Sequence, residues 1–157
     1  MRIPVSSFSL EVIMKVPNHP VSFVQLNETS KAIVKHFFQV FSGGDIEAIG
    51  ECLHEELSWW VAGSLPGLSG TYDKHGICTL LSGVATAYVD GALPMTVVDM
   101  IAEADRVSVE LQCRATLHNG RVYANQLHVF IELCDGKVRR VREYLDTAHC
   151  HDIFLTP

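Results

Sequence analysis

The sequence has no Cys-x-x-Cys pair, no run of Lys or Arg beyond Arg139-Arg140, no Gly-x-Ser-x-Gly, and no apolar stretch of bilayer length. Each absence excludes a class of function. Five cysteines, Cys52, Cys78, Cys113, Cys134 and Cys150, are an odd number that cannot all pair within one chain, so reduced thiols are expected rather than a disulfide framework. The formal charge is -6, and with no basic cluster the electropositive surface that nucleic acid needs is missing. Spanning a bilayer takes about 20 apolar residues, so no membrane partner is expected. Phe8 to Val16 is interrupted by Glu11 and Lys15 and is followed by no small-residue cleavage site. It does not read as a secretory signal, and a cytoplasmic protein is the expectation. Ser64, Ser69 and Ser82 lack the context that makes a serine a nucleophile.

What is present suffices for one core: 157 residues, 48% of them hydrophobic, are about the size of a single domain. Residues 1–22, with Pro4, Pro17 and Pro20, read as a tail or as an extra edge strand around Ser9 to Val16, and the domain as 23–157. From Asn27, a capping type, Ile33, Val34, Phe37, Phe38, Val40 and Phe41 recur at helical spacing until Gly43-Gly44. Asp45 caps a second helix, Ile46 to Leu53. Leu57 to Val61 is a short strand in which Trp59 and Trp60 must face opposite ways. The glycine-rich stretch from Gly63 to Lys74 is a loop, and a third helix runs from Asp73 or Lys74 to about Val89, with Ile77, Leu80, Leu81, Val84, Ala85 and Tyr88 along one stripe. Strands follow: Met95 to Ala104, Arg106 to Leu117, and one from Tyr123 to Leu133 that turns at Asp135-Gly136 into a last strand. Helices first and a meander of strands afterwards is an α+β order, in which three helices cover one face of a curved antiparallel sheet and leave a pocket.

The stretch from Arg121 to Thr147 holds the one constellation that suggests chemistry: Asn125, Gln126 and His128 on one strand, Glu143, Tyr144 and Asp146 on the next. Paired strands would bring an imidazole near carboxylates. An imidazole titrates near neutrality and a carboxyl in an apolar cavity is raised by desolvation, so either could move a proton beside a carbonyl. The other reading is a histidine at a dimer interface and a glutamate paired with Arg140 or Arg142. Alternation puts His128 opposite the dry face of Tyr123, Asn125, Leu127, Val129, Ile131 and Leu133 unless a bulge intervenes. Asn125 either orients a substrate oxygen or bonds neighbouring backbone. Asp146 is a second carboxylate or a solvated strand end. Trp59 and Trp60 are core or a platform for a flat ligand, and Tyr88 and Tyr123 join them as candidate substrate-binding residues. His149-Cys150-His151 alternates faces and has no further ligands at zinc spacing, so no metal is expected. His54 with Glu55 and Glu56 reads as a solvated helix end. Cys78 and Cys113 read as small core residues.

The order helix, helix, Trp-containing strand, glycine loop, helix and strands, with Asp135-Gly136-Lys137-Val138 ahead of Arg142-Glu143-Tyr144-Leu145-Asp146-Thr147, resembles the NTF2-like superfamily over roughly residues 28–150. Within it the likeness is to the SnoaL-like group related to ketosteroid isomerases. The resemblance implies a cystatin-type conical barrel, homodimerisation through the outer sheet face, and an apolar cavity for a small apolar or cyclic molecule. It also implies acid-base isomerase, cyclase or hydratase chemistry without metal or organic cofactor. Polyketide cyclases of the group use a Gln-x-His pair and an acid on the last strand. Gln126-Leu127-His128 matches the pair and Glu143 takes the acid's place, with Glu for Asp and a spacing about one residue off. A second subgroup pairs Asn-Asn-x-Tyr-His with Glu-Tyr-x-Asp. This chain keeps Asn125, His128, Glu143, Tyr144 and Asp146 of that pattern, and has Ala124 and Leu127 where Asn and Tyr stand. His128, Glu143 and Asp146 are the catalytic candidates. The alternative function is non-catalytic: ligand storage, or assembly through the outer face of Glu110, Gln112 and Arg114.

Overall fold

The first helix begins earlier than its apolar spacing indicates, because a capping box precedes that spacing. Ser22 Oγ accepts from the Gln25 N–H, and the Gln25 side chain accepts from the Ser22 N–H. In the computed structural model, which describes residues 22–156, α1 therefore spans Phe23–Ser42. The edge strand expected around Ser9 to Val16 lies outside the described residues. Asn27 is no cap: its Oδ1 accepts from the Ala104 N–H at 2.8 Å, tying the helix to the β-sheet. The apolar face of α1 buries Val34, Phe37, Phe38 and Phe41. Gly44, at φ +73°, is required where the chain turns, since a Cβ there would lie 2.7 Å from the Gly91 carbonyl oxygen.

Asp45 caps α2, Ile46–Cys52, as expected, accepting from the Glu47 and Ala48 amides. The chain then enters β1, Leu53–Val61, directly. His54, Glu55 and Glu56 are therefore strand residues and not a helix end. The loop of Gly63 to Lys74 carries β2, Gly70–Tyr72, which pairs antiparallel with β1. α3, Lys74–Ala85, starts at an Asp73 cap and stops short of Val89, because Tyr88 is claimed by a β-bridge to Leu117. Then come β3, Met95–Glu103; β4, Arg106–Thr116; β5, Val122–Cys134; and β6, Lys137–Leu145. Asp135 and Gly136 adopt φ of +50° and +73°, the paired left-handed conformations of a type I′ turn. A fourth helix that the sequence reading lacked, α4, Thr147–Phe154, closes the chain.

The six strands form one sheet in the order β2-β1-β6-β5-β4-β3. The expectation of a wholly antiparallel sheet needs one correction: β1 and β6 run parallel, Trp59 against Val141 and Val61 against Glu143. Every other pairing is antiparallel. Strict alternation on β4 and β5 gives a buried face of Val107, Val109, Leu111 and Cys113 against Leu127, Val129, Ile131 and Leu133. Helices packed on this sheet make the α+β arrangement the sequence indicates, and the dry face of β5, with its neighbours, becomes one wall of the interior.

Candidate functional site

Between the sheet's inner face and α1, α3 and α4 lies a cavity of about 240 Å³. Its walls are almost wholly apolar: Phe38 and Phe41 from α1, Leu80 and Leu81 from α3, Leu111, Leu127 and Val129 from the sheet. Leu65 to Leu68 of the loop and Cys150, Phe154 and Leu155 of the C-terminal segment complete it. One lining residue carries a charge-bearing group, Glu143. Val141, Glu143 and Leu145 alternate inward along β6, which aims this carboxyl at the interior. By surface accessibility Glu143 is only half-buried, yet what it exposes is turned into the cavity it lines.

The indole of Trp59, on the adjacent parallel strand, donates to Glu143 Oε2 at 2.9 Å. Phe37 and Phe41 pack their rings at 6.2 and 6.4 Å from that indole and hold its orientation. Loss of water pushes the Glu143 carboxyl above the ordinary carboxylate value, and the indole hydrogen bond draws it partly back. Tyr88, 3% exposed, makes no hydrogen bond through its side chain among the described residues. No wholly enclosed side-chain polar atom there lacks a partner. Its hydroxyl therefore borders open space, and the space Tyr88 lines is the cavity. Burial raises the Tyr88 phenol, with the nearby Cys113, Cys150 and Glu143 adding to the effect. Burial likewise pushes the Cys113 and Cys150 thiols up to about 11, which keeps both protonated near neutrality. The chamber thus offers a desolvated carboxyl and an uncommitted phenolic donor in apolar surroundings.

The other candidates fall elsewhere. In the β5–β6 ladder Val129 faces Glu143 and His128 faces Tyr144. Imidazole and carboxyl are therefore on opposite sides of the sheet, which corrects the expectation that strand pairing brings them together. No bulge rescues the geometry, since the irregularity in this ladder falls between Glu132 and Leu133. His128 Nε2 instead lies 2.7 Å from Ser108 Oγ, and Gln126 is exposed on the same outer face, opposite Gln112. The two tryptophans do face opposite ways: Trp60 lies outside, with the Arg142 guanidinium 4.5 Å from its ring centre and Tyr144 at 5.4 Å.

Asn125 is buried but committed. Its Nδ2 donates to the Tyr123 hydroxyl and to the Asp146 carbonyl, and its Oδ1 accepts from the Asp146 N–H, all at 3.0 Å. Of its two readings, bonding to neighbouring backbone is the one the structure has. Asp146 is the N-cap of α4, accepting from the His149 amide. Tyr123 lines the cavity, stacked on His149 at 5.6 Å. His149, Cys150 and His151 do not converge: Cys150 faces the cavity, whereas His151 sits beside Asp152 at 3.5 Å. The sequence reading missed the α4 wall, although Asp146 as a capping type ahead of Cys150, Ile153 and Phe154 at helical spacing carries the signal.

The architecture is that of the NTF2-like proteins, with a cavity between helices and sheet. Residues 34–141 match the SnoaL-like domain, and the chain belongs to that family. Among solved structures, PrhC from Penicillium brasilianum is similar at TM-score 0.73 and 18% identity, covering 82% of this chain and 87% of that one. TerC co-crystallised with polyporic acid gives TM-score 0.71 and 24% identity, covering 82% and 99%. An LEH-like epoxide hydrolase of M. tuberculosis gives 0.65 and 16%, covering 82% and 88%. At these identities the likeness is one of fold. No curated protein matches the sequence.

Proposed function

We propose that this chain is an acid-base enzyme that moves a proton on a small, neutral, largely apolar carbonyl compound held in the cavity, as an isomerase or cyclase does. The observation that carries the reading is the Glu143 carboxyl, the one charge-bearing group in an otherwise apolar chamber, fixed by the Trp59 indole. A carboxylate deprived of water is a stronger base than one in solvent, and burial brings its pKa nearer to neutral pH, where a general base works best. The Tyr88 hydroxyl supplies the donor for the negative charge that develops on the carbonyl oxygen as the α-proton leaves. TerC, of the same fold, was co-crystallised with polyporic acid, which supports a small-molecule occupant. An anionic ligand is disfavoured, because its charge would meet Glu143 in a low dielectric.

The test is hydrogen exchange: enolisable cyclic ketones incubated with the protein in heavy water should take up deuterium at the α-carbon. Binding detected by thermal shift without any exchange would make the cavity a storage or sensing site instead. His128→Ala, on the far side of the sheet, should leave the exchange rate near wild type, and a loss comparable to that of a cavity variant would overturn the assignment of roles.

The proposed partner is a second copy of the chain, docked on the outer sheet face where Trp60, His128, Phe130 and Tyr144 cluster. Tyr144 is 43% exposed and Ile101 70% on the described surface, apolar area that a dimer would cover. Light scattering should give a dimer mass for the wild type, and Tyr144→Glu, which places a charge at the centre of the patch, should weaken association at least about tenfold. A monomeric wild type would rule this interface out.

A further inference from the structure

The corner where β5 turns into β6 lies beside the start of β1, and it gathers three side chains of different ligand type. His54, Cys134 and Asp135 each present one ligating atom, and the three atoms lie within 4.8 Å of one another. No other group of three His, Cys, Asp or Glu among the described residues does this. None of the three lines the Glu143 cavity. The backbone explains the convergence. His54 falls in the part of β1, between Leu53 and Ser58, where the parallel register with β6 shifts. Cys134 ends β5, and Asp135 is held at φ +50° as the first corner of the turn.

We infer that His54, Cys134 and Asp135 form a binding site for one divalent transition-metal ion of the zinc type, its fourth position left to water. The spacing is close to what the ion needs. Cys134 Sγ lies 3.8 Å from Asp135 Oδ2, and a tetrahedral zinc with ordinary bond lengths sets its sulfur and oxygen ligands about 3.5 Å apart. The donor set selects the metal: thiolate and imidazole favour zinc-like ions over calcium or magnesium. Thiolate and carboxylate together match the divalent charge. The His54 Nδ1 accepts the Glu56 N–H at 3.0 Å. That bond is exposed, so the amide turns to water at little cost if the ion takes a ring nitrogen. On binding, the Cys134 thiol gives up its proton to solvent and a metal–sulfur bond forms, with no change of oxidation state.

The full-length protein, kept reduced, is titrated with Co²⁺ and then with Zn²⁺. One equivalent of cobalt should give the ultraviolet thiolate-to-cobalt charge-transfer band, and zinc should bleach it. Cys134→Ser should abolish the band, and His54→Ala and Asp135→Asn should each weaken cobalt binding at least about tenfold. Asp135→Asn keeps a residue that tolerates the positive φ of the turn, so it tests the site even if another variant folds poorly. Zinc should also raise the melting temperature of the wild type and not of Cys134→Ser. The absence of a charge-transfer band in the wild type would overturn the assignment. So would an undiminished band in Cys134→Ser, which would place the metal on another cysteine.

Discussion

Glu143→Gln is expected to lower turnover by about 100- to 10,000-fold, the range that general acid-base groups supply, while the dissociation constant for the ligand changes only a few-fold. Gln keeps the size of the side chain and an oxygen for the Trp59 indole, so the chamber keeps its shape and loses only the proton acceptor. Steady-state kinetics beside calorimetric binding separate the two effects, and unchanged turnover would remove Glu143 from the chemistry. The same variant reads the carboxyl's environment. Glu143 is raised above its ordinary value of 4.5 in the folded chain, so the native state holds this proton where the unfolded state has released it. Stability from this group is therefore complete below about 4.5 and is lost as pH rises through the elevated value. Denaturant melts across that window should show the wild type losing stability relative to Glu143→Gln. Activity should run the opposite way, rising as the carboxyl ionises, because a base acts only when deprotonated.

Asn125→Ala is expected to cost roughly 3 kcal/mol of stability. The amide makes three hydrogen bonds, two of them to both backbone groups of Asp146, and truncation strands those partners in a largely buried position. Because Asp146 is also the cap of α4, the loss should spread to the helix that supplies Cys150, Phe154 and Leu155 to the cavity wall. Equilibrium unfolding gives the energy, and a raised KM with kcat nearly intact would report the slackened wall. A cost under about 1 kcal/mol would mean that water replaces the amide and that Asn125 is not an anchor.

Asn125 also marks where the sequence stops being legible. Alternation along β4 and β5 fixed which residues face inward, and from that rule alone His128 belongs outside, Asn125 inside, and one tryptophan on each face. Whether an inward amide is free for a ligand or consumed by backbone depends on Asp146, and strand periodicity cannot say what stands at a neighbouring strand's end. The acid-and-imidazole pair was drawn from residue types on adjacent strands, and the ladder register, Val129 rather than His128 opposite Glu143, is what separates them. The Ser22–Gln25 capping box is legible in the sequence, but the apolar rhythm after Asn27 is the stronger signal. The β1–β6 pairing was not readable, because no local pattern announces which distant strand the Leu53–Val61 stretch will lie beside. The Trp59–Glu143 contact follows from that pairing, and it remained invisible for the same reason.

That parallel pairing also bears on how the molecule comes into being. The β2-β1 ribbon joins the rest of the sheet only through β6, the last strand to be made. A ribosome must therefore make every other strand of the sheet before the two portions can meet, and such distant closure is the slow kind. Until then the ribbon can pack on α1 and α3, but the β1 edge that faces β6 stays unpaired, an open strand edge of the sort chaperones recognise. The carboxyl and the indole that define the chamber are brought together by the strand pair that joins the two portions, so the chamber's one polar contact and the completion of the sheet are reached in a single step.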